Sequence, residues 1–205
     1  MLKIVQILAR AVVGKNMRQI GPMRQIYRRL FRKQKRILLL KTWNDHLGDL
    51  ILISGTLRHY RRLYVDCRLE LACPDSYAGY FQHCPHLDAV VPLSRFGTTM
   101  AKYVKGAPTW SPWNSGRYDR VISLRRTPLG MDYGLIQSLR PAWTAGMTGD
   151  HLSLRAAEAS KHEALLNCAA AVPWQDPPVH EYEIQLNLLK ALGAEVRGPD
   201  DIWPE

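Results

Sequence analysis

The chain has 205 residues, of which 46% are hydrophobic, with four cysteines and a formal charge of +10 at neutral pH. That apolar share supports a real core and excludes a disordered chain, and no uninterrupted apolar run approaches the roughly 20 residues a bilayer-spanning helix needs. The charge suggests nucleic acid until it is located: residues 1–36 hold eleven Lys and Arg and no acidic residue, while the rest holds 17 basic and 18 acidic ones.

In that first segment Ile4, Val5, Leu8 and Val12 share one helical face, and after Gly21-Pro22 so do Met23, Ile26, Tyr27, Leu30 and Phe31. Residues 1–36 are therefore expected to form a basic amphipathic helical extension. Its apolar faces either lie in an anionic membrane surface, where each Arg or Lys gains about 1 kcal/mol, or dock on the domain that follows; helical periodicity fits both. Met1–Val13 resembles a weak signal-peptide core, but Gln6 and Arg10 interrupt it and no small-x-small site follows. A nucleic-acid arm is disfavoured because no basic run with interleaved aromatics continues past the segment.

From residue 37 the pattern alternates in the βαβ manner, which predicts a parallel sheet covered by helices on both faces. Strand one is Ile37–Thr42. The loop to His46 leads to a helix opening on Gly48-Asp49, with Leu50, Ile53, Leu57 and Tyr60 at helical spacing and a basic cluster, Arg58 to Arg62, at the negative end of its dipole. In such a sheet Asp49 sits at the carboxyl edge, where ligands bind. It is either a reacting carboxylate or a helix-capping one.

Strand two is expected at Arg68–Cys73, a capped helix at Tyr77–His83, and strand three at Ala89–Pro92. Cys67 and Cys73 alternate with Leu69 and Leu71 and are read as core-facing, in preference to a zinc site with His83, Cys84 and His86. None of the cysteines shows disulfide-like or CxxC spacing, which fits a reducing cytosol. Ser94–Gly116 reads as a long loop around a short Met100–Val104 helix, with Trp110 and Trp113 either lining a binding surface or packed as a lid. Strand four is Tyr118–Leu124. At its carboxyl end Arg125 and Arg126 suit phosphate or carboxylate recognition, or form a solvated charge pair. Ala142–Met147 suggests a further strand and Leu152–Ala171 has helix-favouring residues. Val179–Gly193 is a strong amphipathic helix closed by glycine. No P-loop or GxGxxG fingerprint occurs.

Four segments in order carry a family likeness: Ile37-Leu-Leu-Leu-Lys41 with Asp45-His-Leu-Gly-Asp49, Cys84-Pro-His-Leu-Asp-Ala-Val-Val-Pro-Leu93, Tyr118-Asp-Arg-Val-Ile-Ser-Leu-Arg125, and His180-Glu-Tyr-Glu183 with its Leu-rich helix. From Arg36 to about Gly193 the chain resembles the N-terminal half of glycosyltransferase family 9, the heptosyltransferase-like enzymes of bacterial cell-surface polysaccharide assembly. The resemblance implies the first Rossmann-like domain of a GT-B fold, with acceptor on this domain and the nucleotide-sugar donor on a second.

It further implies metal-independent, cofactor-free transfer with inversion, and makes Asp49 the general base for the acceptor hydroxyl. Asn44, His46, Gly48, Arg125 and Arg126 are the expected acceptor contacts. The domain boundaries expected are 1–36, 37–193 and a linker start at 194–205, with the donor domain absent and the chain inactive alone. The implied partners are a nucleotide sugar, a lipopolysaccharide-type glycolipid and an anionic membrane met by residues 1–36 on the inner face of the cytoplasmic membrane. The competing class is a non-catalytic module that holds an anionic glycolipid or a partner protein.

Overall fold

The computed structural model describes residues 34–42, 47–96, 117–125, 130–148, 161, 163–172 and 180–204, within a compact unit of Lys35–Glu205. Residues 1–33, Trp110, Trp113 and most of the expected 94–116 loop lie outside the described residues. In chain order the elements are β1 (Arg36–Leu40), α1 (Leu47–Leu63), β2 (Arg68–Cys73), the short α2 (Ala78–Phe81) and β3 (Ala89–Pro92). β4 (Arg120–Ser123), α3 (Gly130–Leu139), β5 (Trp143–Thr148), β6 (Cys168–Ala171) and α4 (Glu181–Ala191) follow. The six strands form one all-parallel sheet in the order β3-β2-β1-β4-β5-β6. This is the Rossmann-like α/β architecture expected from the βαβ alternation.

Strand periodicity sorts the core into two layers. Ile37 and Leu39 of β1 pack with Leu50, Ile53, Leu57 and Tyr60 of α1 and with Ile184, Leu188 and Leu189 of α4. Leu38 and Leu40 point to the other face and pack with Met131, Leu135 and Leu139 of α3. β1 is thus buried on both sides, which is why it reads as an unbroken Ile-Leu-Leu-Leu run. Each fully buried Leu or Ile contributes about 1.5–3 kcal/mol relative to exposure.

Two elements depart from the sequence expectation. Cys168–Ala171 is an edge strand, not the end of a 152–171 helix: Asn167 N donates to Thr144 O and Val172 N to Thr148 O, so alanines that favour helix are held extended by pairing with β5. Earlier in that segment Lys161 and Glu163 are helical, and residues 152–160 and 162 lie outside the described residues. α3 was not expected, since its two glycines weaken the helical signal. Gly193 closes α4 at φ +88°, the left-handed C-cap that favours glycine.

The described residues 198–204 cross α1. Ile202 is fully buried, and Arg58 Nη2 and the His59 ring both meet the Asp201 carbonyl, at 2.5 and 2.6 Å. Gly55 permits this crossing: a Cβ there would lie 2.0 Å from the Ile202 carbonyl oxygen. Gly55→Ala is expected to cost about 1–3 kcal/mol by overpacking, read as a lower denaturant midpoint, with faster amide exchange in 198–204 than elsewhere.

At the amino edge Glu70, 1% exposed, accepts from Arg36 Nη2 at 2.5 Å, Arg68 Nε at 2.6 Å and Tyr118 Oη at 2.8 Å. Burial alone would raise its pKa; the bonds from Arg68, Tyr118 and Arg36 outweigh that and hold it below the usual glutamate value. Because the folded-state pKa lies below the unfolded one of about 4.3, this contribution is complete above that pH and disappears as pH falls through the lower folded value. Glu70→Gln is expected to lose about 1–3 kcal/mol at neutral pH. In urea melts the gap from wild type should close as the solution is acidified.

Candidate active site at the carboxyl edge

β1 and β4 are the neighbours from which the strand order runs in opposite directions. In open α/β sheets, ligands bind outside the carboxyl ends of two such strands. Lys41 and Thr42 follow β1, and Leu124 and Arg125 follow β4. Lys41, Thr42, Ser123, Arg125, Asp132 and Gln185 are all buried, an unusual density of polar side chains for one edge of a core.

Asp132 is the centre of this group. It lies in the first turn of α3, is fully buried, and its Oδ1 accepts from Thr42 Oγ1 at 2.6 Å. Its Oδ2 lies 3.8 Å from Arg125 Nε. One carboxylate therefore joins the stem of the loop after β1 to the stem of the loop after β4. A helix N-terminus favours that negative charge. On the other face of the sheet Gln185 of α4 donates to the Leu124 carbonyl at 2.9 Å and to Glu181 at 3.0 Å. Ser123 Oγ and Gln185 Oε1 are buried with no hydrogen-bond partner among the described residues. Such groups are satisfied by an ordered water or a polar ligand atom.

Asp49 is in the first turn of α1, half-buried, with Gly48 beside it exposed and with open space where a Cβ would be. A carboxylate so placed is fixed by a rigid helix yet open to solvent, as a base that meets a substrate must be. Arg125 is 9% exposed and beside a carboxylate, so it is not the solvated charge pair that was one reading of it. Asn44, His46 and Arg126 lie outside the described residues. Asp132, Thr42 and Gln185 were missed in the sequence. The available signal was Met131, Leu135 and Leu139 at a spacing of four, with an aspartate in the first turn of that pattern.

The sequence matches no protein-family model and no curated protein. Among solved structures the fold is similar to an E. coli heptosyltransferase, WaaC, with ADP, at TM-score 0.53 and 18% identity over 80% of this chain and 50% of that one. It is also similar to a glycosyl transferase family 9 protein from Veillonella parvula, at TM-score 0.53 and 17% identity over 78% of this chain and 42% of that one. E. coli ADP-heptose lps heptosyltransferase II gives TM-score 0.50 and 14% identity over 84% and 46%. The chain therefore shares the fold of part of these proteins and spans about half their length.

Proposed function

We propose that this unit is the acceptor-binding domain of an inverting glycosyltransferase of the heptosyltransferase type. The observation that carries the reading is the half-buried Asp49, on a rigid helix at the crevice between β1 and β4, in a fold shared with heptosyltransferases. In the proposed reaction the Asp49 carboxylate accepts the proton of an acceptor hydroxyl as its oxygen attacks the anomeric carbon, and the nucleoside diphosphate leaves from the opposite side. Arg125, held by Asp132, faces an anionic group of the acceptor, with Asn44, His46 and Arg126 as further contacts. The donor nucleotide is held by a second domain, which also neutralises the leaving diphosphate, often the largest catalytic contribution.

The acceptor proposed is a lipid-linked or lipopolysaccharide-type saccharide at the inner face of the cytoplasmic membrane, met with the help of residues 1–36. Among the described residues no helix is long and apolar enough to cross a membrane. The test is transfer from a nucleotide-heptose or nucleotide-hexose to a glycolipid acceptor, with and without an added donor domain, beside calorimetry of each ligand. Transfer only in the complemented protein, with acceptor bound by this chain alone, is the expected result. Tight nucleotide-sugar binding by this chain alone would overturn the division of labour. Acceptor binding with no transfer in any combination would leave a binding module instead.

A further inference from the structure

Along the sequence, charge beyond residue 36 is balanced, but the fold gathers it. Every strand of the central trio starts on arginine at the amino edge of the sheet: Arg36 in β1, Arg68 in β2 and Arg120 in β4. The last turn of α1 and the segments before β4 and after α3 add exposed Arg62, Arg117 and Arg140. The acidic groups there are mostly engaged. Glu70 faces the guanidinium groups of both Arg36 and Arg68, leaving that cluster one charge positive. Asp88 is paired with Arg61 at 2.6 Å, and Asp119 accepts the Arg36 backbone N–H at 2.8 Å. Asp66 is exposed in the turn after α1, and Lys190 and Glu195, one charge of each sign, are exposed at and just after the end of α4.

Aromatic rings are interleaved with this positive charge, but their faces are occupied. Arg120 lies 4.8 Å from the Trp143 ring centre and 5.7 Å from that of Tyr64, and Arg36 and Arg117 lie 5.0 and 5.7 Å from Tyr118. Tyr64 and Tyr118 are buried. Single-stranded nucleic acid gains much of its affinity by stacking bases on open aromatic faces, and these are not open. At the same edge Val65, in the turn between α1 and β2, is 70% exposed. A positive face with an apolar tip is complementary to anionic headgroups over acyl chains.

We propose that the amino edge of the sheet is itself a docking surface for an anionic lipid bilayer, with Val65 entering the headgroup layer. The chain enters the sheet at this edge from the basic residues before Arg36, so basic character is continuous along the sequence into the surface. The orientation follows from the strands. β1 has five residues, about 17 Å of extended chain, and the Asp49 edge lies at its far end. The bilayer and the ligand crevice are on opposite edges, so a membrane-borne acceptor reaches the crevice only if its reacting sugar stands well clear of the headgroups.

The experiment is co-sedimentation of the full chain with phosphatidylcholine vesicles, with and without about one-third phosphatidylserine. Wild type is expected on the anionic vesicles alone, with capture falling as salt rises. At about fivefold per basic residue near the surface, Arg62→Ala with Arg140→Ala should lower partitioning about 25-fold, and Val65→Asp should lower it as well. Arg95→Ala, exposed beyond β3 on the opposite edge, should leave it unchanged. Unchanged far-ultraviolet dichroism and melting of each variant exclude unfolding as the cause. If the double variant partitions like wild type, or Arg95→Ala loses as much, the surface is wrongly assigned. Duplex or single-stranded DNA bound more tightly than the vesicles, and weakened by the same variants, would overturn the lipid assignment. Vesicle binding is read without sugar transfer, so its failure leaves the proposed function standing, and the reverse.

Discussion

On the proposed function, Asp49→Asn is expected to lower sugar transfer by the complemented protein roughly 100- to 10,000-fold, the usual contribution of a positioned general base. Asparagine keeps the size of the side chain and part of its affinity for the end of α1 but cannot accept the proton. Acceptor affinity by calorimetry should change little, because the loss falls on the transition state. Stability should fall by less than about 1 kcal/mol, the value of one charge at a partly exposed helix N-terminus. A variant that retains transfer and loses only stability would make Asp49 a capping residue and nothing more.

Asp132→Ala is expected to have the largest effect on stability, a loss of about 3–5 kcal/mol. The carboxylate is fully buried, and its removal leaves the Thr42 hydroxyl without its acceptor at 2.6 Å and the Arg125 guanidinium without the nearby negative charge. Asp132→Asn separates the two effects: the amide oxygen still accepts from Thr42, but the charge beside Arg125 is gone. Denaturant unfolding should rank wild type above Asp132→Asn and that above Asp132→Ala. Equal stability of all three would mean the group is solvated well enough to need no partner.

The fold was legible where burial writes itself into the sequence. β1, β2, β3 and β4 fall within a residue or two of their expected limits, β1 because a strand covered on both faces becomes an apolar run, and α1 and α4 lie where expected because their buried stripes recur at 3.6 residues. α3 and β6 were not legible. Gly130 and Gly134 blur a helix that only its packing against Leu38 and Leu40 stabilises, and Cys-Ala-Ala-Ala carries no strand preference until β5 is beside it. The site divides in the same way. Asp49 was visible from its place after a strand and before a helix. Asp132 was not, since its role depends on two strand ends that meet only in three dimensions. Charge behaves likewise: the three arginines that begin β1, β2 and β4 meet at one edge of the sheet although the starts of the strands are far apart in the chain.

The same wide spacing sets a kinetic problem. β1 must wait for β4, with Arg36 and Asp119 separated by 83 residues, and α1 must wait for a closing segment 143 residues beyond Arg58. Contacts this distant are formed late and slowly, since loop entropy is lost before they repay it. While the chain is being made, β1, β2 and β3 can assemble first. Until β4 arrives, the open side of β1 presents the hydrogen-bonding edge of an Ile-Leu-Leu-Leu strand to any other nascent chain, a template for misassembly. The strand at the centre of the finished sheet is therefore also the one most open to mispairing until β4 is synthesised.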